Sequence, residues 1–144
     1  MEFLSGKVKG LVKAYNHYMH PNQHPTEHDK VAFDLLNKAE VDLFIEYADN
    51  HPVNIHVVDY STVSLLIKAQ DVANSNHPCK KLLSKEERVA RAIKVSLYLI
   101  ERGVDVNYRD KNGATALYTA VHWQRFELAE LLLSKGADPN IGST

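Results

Sequence analysis

The sequence contains a single cysteine, Cys79, among 144 residues. One cysteine excludes a disulfide within the chain and fits a reducing compartment. No apolar run approaches the roughly 20 residues that a membrane-spanning helix needs. The first residues also lack the basic start and the continuous apolar core of a secretory signal. We therefore predict a cytoplasmic protein, located either in its own cell or delivered into a host cell.

The chain also carries almost no net charge. Its 17 basic and 18 acidic residues give a formal charge of -1 at pH 7, so no global field favours nucleic acid or an anionic membrane. The densest basic stretch alternates with glutamates and apolar residues, which is typical of the solvated face of a surface helix. Its basic residues include Lys85, Arg88, Arg91 and Lys94. We predict neither a nucleic-acid partner nor a membrane partner.

Common catalytic motifs are missing as well. The sequence has no phosphate-binding glycine loop, no G-x-S-x-G and no H-E-x-x-H. Imidazole groups spaced by three or four residues can bind zinc, and the chain has one such run, formed by His17, His20, His24 and His28. Two prolines interrupt the run, so no single helix aligns all four. We predict no enzyme, no metal and no cofactor, with a metal-dependent enzyme or metal-binding protein built on this run as the alternative.

A repeated segment occupies the carboxyl-terminal third of the chain. The residues LIERGVDVN, Leu99 to Asn107, match LLSKGADPN, Leu132 to Asn140, at an offset of 33 residues. Between them runs DKNGATALYTA, from Asp110 to Ala120. These segments resemble the ankyrin repeat, whose period is 33 residues. Ala116 and Tyr118 replace the proline and the histidine of the family's pattern.

The chemistry of this segment predicts two short helices. Gly113 and Gly136 stand where the chain turns at positive φ, and Thr115 is placed to cap the first helix. Helical spacing predicts two buried stripes, one of Leu117, Ala120 and Val121 and another of Phe126, Leu128, Leu131 and Leu132. We expect Leu117, Leu131 and Leu132 to be almost fully buried.

Upstream, the same order of elements recurs with weaker motifs. Asp59 to Thr62 stands in the D-x-x-G position, Ser64 to Ala69 stands in the position of a first helix, and irregular structure is expected around Asn74 to Lys80. We predict an all-α ankyrin-repeat solenoid of about three helix–turn–helix repeats behind an amino-terminal capping helix. The expected parts are a capping helix and connector (1–25), a divergent repeat (26–58), a repeat with an enlarged inter-helix loop (59–107) and a clear repeat (108–144).

The resemblance to the family implies a function in protein–protein interaction. A non-catalytic module of this kind binds a partner protein through the turn tips and first helices of its repeats. The variable contact positions of the clear repeat are Arg109, Lys111, Asn112, Ala114, His122 and Trp123. Trp123 either meets a partner or packs over the enlarged loop. We expect an inhibitor, such as an immunity protein against a toxin, or the amino-terminal domain of a larger effector.

The last predicted helix is more apolar than one buried side requires. The terminal unit of a solenoid needs a polar outer side, yet this helix reads FELAELLLS. We therefore expect apolar surface at the carboxyl-terminal end. The natural protein should either continue beyond Thr144 or self-associate through its carboxyl-terminal repeat.

Overall fold

The structure, a computed structural model, describes residues 25–59, 62–74 and 82–141. Over these residues the chain forms three helix pairs: α1 (Glu27–Asn37) with α2 (Val41–Asn50), α3 (Leu65–Asp71) with α4 (Lys85–Glu101), and α5 (Ala116–His122) with α6 (Phe126–Ser134). The all-α fold predicted from the sequence is confirmed. The predicted capping helix and nearly all of the predicted loop after Asn74 lie outside the described residues.

The helices form two layers. The first helices of the pairs, α1, α3 and α5, contact one another in order, and the second helices, α2, α4 and α6, do the same. A continuous apolar core lies between the layers and includes Phe44, Leu66, Val95 and Leu132. Because a single helix pair cannot cover its own apolar surface, each pair depends on its neighbours for burial.

Short hydroxyl side chains determine where the first helices begin. Thr26, Ser64 and Thr115 each accept a hydrogen bond from the backbone N–H three residues further on, at 3.2, 3.2 and 3.1 Å. Such N-caps stabilise a helix by about 1 kcal/mol. The cap predicted at Thr115 is confirmed. At Thr26 the Asp29 carboxylate also accepts from the Thr26 N–H, which completes a capping box.

Arginines join successive repeats by donating to backbone carbonyl groups. Arg91 Nη1 lies 2.9 Å from the Ala39 carbonyl oxygen, and Arg125 Nε lies 2.7 Å from that of Ala73.

The prediction that Arg88 lies on a solvated face is wrong. Arg88 is buried and its Nη1 lies 3.2 Å from the Asn74 carbonyl oxygen.

The predicted buried stripes of the third pair need correction. Leu117 and Leu132 are buried as expected, but Leu131 is only half-buried and Val121 and Phe126 are exposed. The buried residues of α6 are Leu128, Ala129 and Leu132, and Leu131 lies beside that stripe. Among the described residues, no further helix pair follows the third one.

Two adjacent leucines test this register. Leu132 is 0% exposed and Leu133 is 45% exposed. We expect Leu132→Ala to lower the free energy of unfolding by about 2–5 kcal/mol because it leaves a cavity in the core. Leu133→Ala should cost less than about 1 kcal/mol. Urea denaturation followed by circular dichroism measures both values, and equal losses would contradict the assigned register.

Candidate functional site

Two equivalent turns precede the first helices of the second and third pairs. In the first turn, which includes Asp59 and residues 62–64, Asp59 N–H donates to the Val63 carbonyl, Thr62 N–H donates to the Asp59 carbonyl, and Val63 N–H donates to Asp59 Oδ1, all at 2.9–3.0 Å. The second turn (110–115) repeats these bonds with Asp110, Gly113 and Ala114, again at 2.9–3.0 Å. The aspartate side chain therefore closes each turn onto its own backbone.

Thr62 occupies the position that Gly113 holds in the second turn. Its φ is +64°, against +79° for Gly113. An L-residue other than glycine rarely adopts this left-handed conformation because its Cβ crowds the backbone, and the second heavy atom on the Cβ of a β-branched residue adds to the crowding. Some other interaction must therefore hold Thr62 in place.

Bonds from the following repeat supply that interaction. The Tyr108 hydroxyl donates to the Thr62 carbonyl oxygen at 2.6 Å, and the Lys111 backbone N–H donates to Thr62 Oγ1 at 2.6 Å. Burial raises the pKa of the Tyr108 phenol, and the negative charge of Asp110 adds to this effect. The phenol thus keeps its proton at neutral pH and remains a donor. Through these two hydrogen bonds, Thr62 connects the first turn to Tyr108 and Lys111, which lie before and within the second turn.

A groove lies between these two turns, with a volume of about 590 Å³. We call it the turn groove. Its apolar lining comes from Ile55, Val58, Val104 and the Tyr108 ring, and its exposed rim includes Arg109 and Lys111. This volume lies within the range of pockets that bind small ligands or side chains.

The six contact positions predicted from the sequence fall into two groups. Arg109, Lys111 and Asn112 are exposed around the second turn, and Ala114 is half-buried beside them. His122 is exposed at the end of α5, and Trp123, directly after it, is half-buried. The turn groove brings Arg109 and Lys111 together, whereas His122 and Trp123 are not among its lining residues.

The second group belongs to an aromatic cluster on α5. The His122 ring contacts the Trp123 ring edge-on at a centroid distance of 4.9 Å, and it lies parallel to the Tyr118 ring at 6.0 Å. In the sequence, Tyr118 stood out only as the residue that replaces the histidine of the family's pattern. Its spacing of four residues from His122, which places both side chains on one helix face, was the available signal.

The carboxyl-terminal end of the stack carries exposed apolar side chains. Ile67 in α3 and Tyr118 in α5 both lie three residues after their N-cap, yet they are 5% and 41% exposed. Gln70 and Val121, six residues after the same caps, are 0% and 48% exposed. On α6, Phe126 and Leu133 are exposed as well, at 61% and 45%. We call these four residues, Tyr118, Val121, Phe126 and Leu133, the open face.

The histidine run contributes one residue to the described part of the chain. His28 Nδ1 lies 2.6 Å from the Tyr47 hydroxyl oxygen, and the Tyr47 ring stacks on the His51 ring at 3.9 Å. In the segments 25–59, 62–74 and 82–141, no three His, Cys, Asp or Glu side chains are grouped so that they could hold a metal ion. His17, His20 and His24 lie outside those segments.

Comparison with known proteins identifies the family. Residues 31–143 match the family model of ankyrin repeats in three copies. An ankyrin repeat protein of Acanthamoeba polyphaga mimivirus is 32% identical over 108 residues, which cover 73% of this chain and 64% of the relative. A similarly named protein of Fowlpox virus (strain NVSL) is 44% identical over 52 residues, 36% of this chain and 7% of the relative.

A second mimivirus ankyrin repeat protein is 43% identical over 44 residues, 31% of this chain and 11% of the relative. The chain therefore spans less than two thirds of each of these three relatives.

Within the described residues, no helix is long and apolar enough to cross a membrane.

Two substitutions at Thr62 test the connection between the turns. Both Thr62→Ser and Thr62→Ala remove the crowding of the β-branched side chain, but only serine keeps the oxygen that accepts from Lys111. We expect Thr62→Ala to be less stable than Thr62→Ser by about 1 kcal/mol, the usual worth of one hydrogen bond. Thermal unfolding of the two variants gives this difference, and equal stability would show that the bond contributes nothing.

Proposed function

We propose, on the premise that this chain belongs to the ankyrin-repeat family, that it is a non-catalytic module that binds a partner protein. The family's repeats generally mediate protein interaction. The binding surface consists of the turn tips and the first helices, and its contact residues are Arg109, Lys111, Asn112, Ala114, His122 and Trp123.

The observation that supports this proposal most is the hydrogen-bonded backbone beneath exposed side chains at the second turn. Lys111 and Asn112 are exposed, yet their backbone N–H groups are held by Thr62 Oγ1 and Asp110 Oδ1. A surface that is already ordered loses little conformational entropy when a partner binds. Exposed side chains on a fixed backbone are what a recognition surface requires.

The finer setting of this function stays a prediction. An inhibitor, an immunity protein or the amino-terminal domain of a larger effector would each use such a surface, and the cytoplasmic location is predicted from the sequence alone. The alternative of a metal-dependent enzyme gains no support from His28, whose described contacts are aromatic.

Site-specific photo-crosslinking tests the proposed surface. A photoreactive amino acid replaces Lys111 or His122 on the proposed surface, or Lys94 or Glu130 on the second helices; all four side chains are exposed. After irradiation in the chain's native cells, we expect positions 111 and 122 to yield the same crosslinked protein, identified by mass spectrometry. Equal yields of that protein from positions 94 and 130 would contradict the proposed surface.

We also propose that a second copy of the chain covers the open face. Two of its residues, Tyr118 and Val121, occupy positions that are buried in the middle repeat, and burying exposed apolar side chains is favourable. Light scattering after size exclusion should show a dimer that dissociates on dilution.

A matched pair of variants tests this self-association. Phe126→Glu, on the open face, should give a monomer, whereas Leu43→Glu, at an exposed position of α2, should leave the dimer unchanged. A wild-type chain that stays monomeric at high concentration would refute the proposed dimer and leave the binding function untouched.

A further inference from the structure

We infer that the third helix pair, α5 with α6, opens as a unit while the first two pairs stay folded, and that this opening switches off the binding surface. In the open state both helices and their contact with the second pair are lost. The inference rests on the proposed function, because it concerns the regulation of that surface. All six proposed contact residues lie between Arg109 and Trp123, in the turn before α5, in α5 or directly after it. The state of the third pair therefore decides whether the surface exists.

The third pair has little stability of its own. Its helices, α5 and α6, contain seven and nine residues, and isolated helices shorter than about 12–15 residues are marginal in water. Tyr118 and Val121 are exposed, whereas the equivalent positions of the middle pair are buried. The pair therefore depends on its contact with the second pair. In a stack of repeats such contacts contribute to stability as approximately separate terms.

The two interfaces between successive pairs differ in their polar bonds. Between α2 and α4, Lys94 forms an ion pair with Asp42, and the Asp49 carboxylate accepts from both Tyr98 and Arg102. Among the described residues, no hydrogen bond or ion pair joins α4 to α6. The layer of second helices thus lacks, at the third pair, the polar bonds that it has at the first.

The bonds that do join the third pair to the rest lie at the ends of its helices. Before α6, Arg125 Nε donates to the Ala73 carbonyl oxygen. After α6, the Gly136 carbonyl oxygen accepts from Asn107 Nδ2 at 3.2 Å, and the bonds to Thr62 hold the turn before α5. A partner that contacts the surface binds only the closed state, so partner binding and closure stabilise each other.

Amide hydrogen exchange, followed by mass spectrometry of peptides, tests the opening without any partner. The full chain is measured at a dilution where light scattering gives a monomer, because a second copy on the open face would oppose opening. Relative to intrinsic rates, we expect residues 116–134 to exchange at least about tenfold faster than residues 89–99 of α4. Equal protection of the two segments would overturn the inference.

Two arginines provide a matched pair of variants. Arg125→Ala removes the bond from the third pair to Ala73, and Arg91→Ala removes the equivalent bond between the first two pairs. We expect Arg125→Ala to speed the exchange of residues 116–134 at least about tenfold and that of residues 27–50 less than about twofold. Arg91→Ala should leave residues 116–134 unchanged. Acceleration of both segments by both variants would show that the chain unfolds as one unit.

A core variant tests the connection between opening and binding. Leu132 is buried, and Leu132→Ala should open the third pair in most molecules while residues 27–50 stay protected from exchange. Crosslinking of the partner from position 111 should then fall at least about tenfold, since affinity falls with the fraction of molecules that are closed. Leu133→Ala, at the exposed neighbouring position, should preserve both the protection and the crosslink.

The outcomes separate this inference from the proposed function. Undiminished crosslinking by Leu132→Ala, once residues 116–134 exchange rapidly, would refute the switch and leave the protein-binding function standing. Loss of protection in every helix of this variant would refute the separate opening of the third pair. Absence of any crosslinked protein in the wild type would instead reject the binding function, and the switch with it, while the exchange rates still measure the opening.

Discussion

Contact between successive helix pairs is the interaction on which the rest of this structure depends. Between pairs, the first helices contact one another along one layer and the second helices along the other, and the apolar faces of each pair need these neighbours. The middle pair has both neighbours, and there even polar Gln70 is fully buried, donating to the Leu66 carbonyl and to Ser96 Oγ at 3.1 and 2.9 Å. Stability in such a stack is largely a sum over neighbouring interfaces.

Polar groups determine how the interfaces align. The carbonyl groups that follow α1 and α3 receive arginines from the next repeat, Arg91 and Arg125. Between α2 and α4, the Tyr98 hydroxyl donates to Asp49 Oδ1 at 2.7 Å, and the Arg102 guanidinium lies 3.5 Å above the Tyr98 ring. Burial and the bond to Asp49 raise the pKa of Tyr98 to about 12, so this phenol remains a donor at neutral pH. Apolar contact has no preferred direction, whereas a hydrogen bond requires a defined geometry, so these bonds determine how the helices are aligned.

The sequence was sufficient for the parts of the fold that depend on local chemistry. Thr115 was recognised as a cap, and Gly113 and Gly136 as positive-φ positions, because each effect involves neighbours within a few residues. The predictions of burial were wrong where burial depends on the next repeat. Helical spacing identified Val121 and Phe126 as apolar stripe residues, but a stripe is buried only if something stacks on it.

The candidate site, too, was predictable from the sequence only where it depends on local residues. Arg109 and Lys111 followed from the family's pattern, but the groove beside them did not, because its other wall comes from a divergent turn about 50 residues earlier. The role of Thr62 had no local signal beyond its place in the D-x-x-G position. The cluster of His28, Tyr47 and His51 was missed because only folding brings α1 and the end of α2 together.

The three non-glycine residues with positive φ connect stability to the binding surface. Ala39, Thr62 and Gln124 have φ values of +59°, +64° and +58°, a conformation that costs an L-residue about 1–2 kcal/mol. The carbonyls of Ala39 and Thr62 are held by Arg91 and Tyr108 from the following repeat. Strain at these two places is therefore offset by the stacking interface itself. Gln124 lies in the loop before Phe126, in the third pair, and no helix pair follows it among the described residues. Stacking in this protein thus fixes the shape of the turns, and the shape of the turns fixes the groove between them.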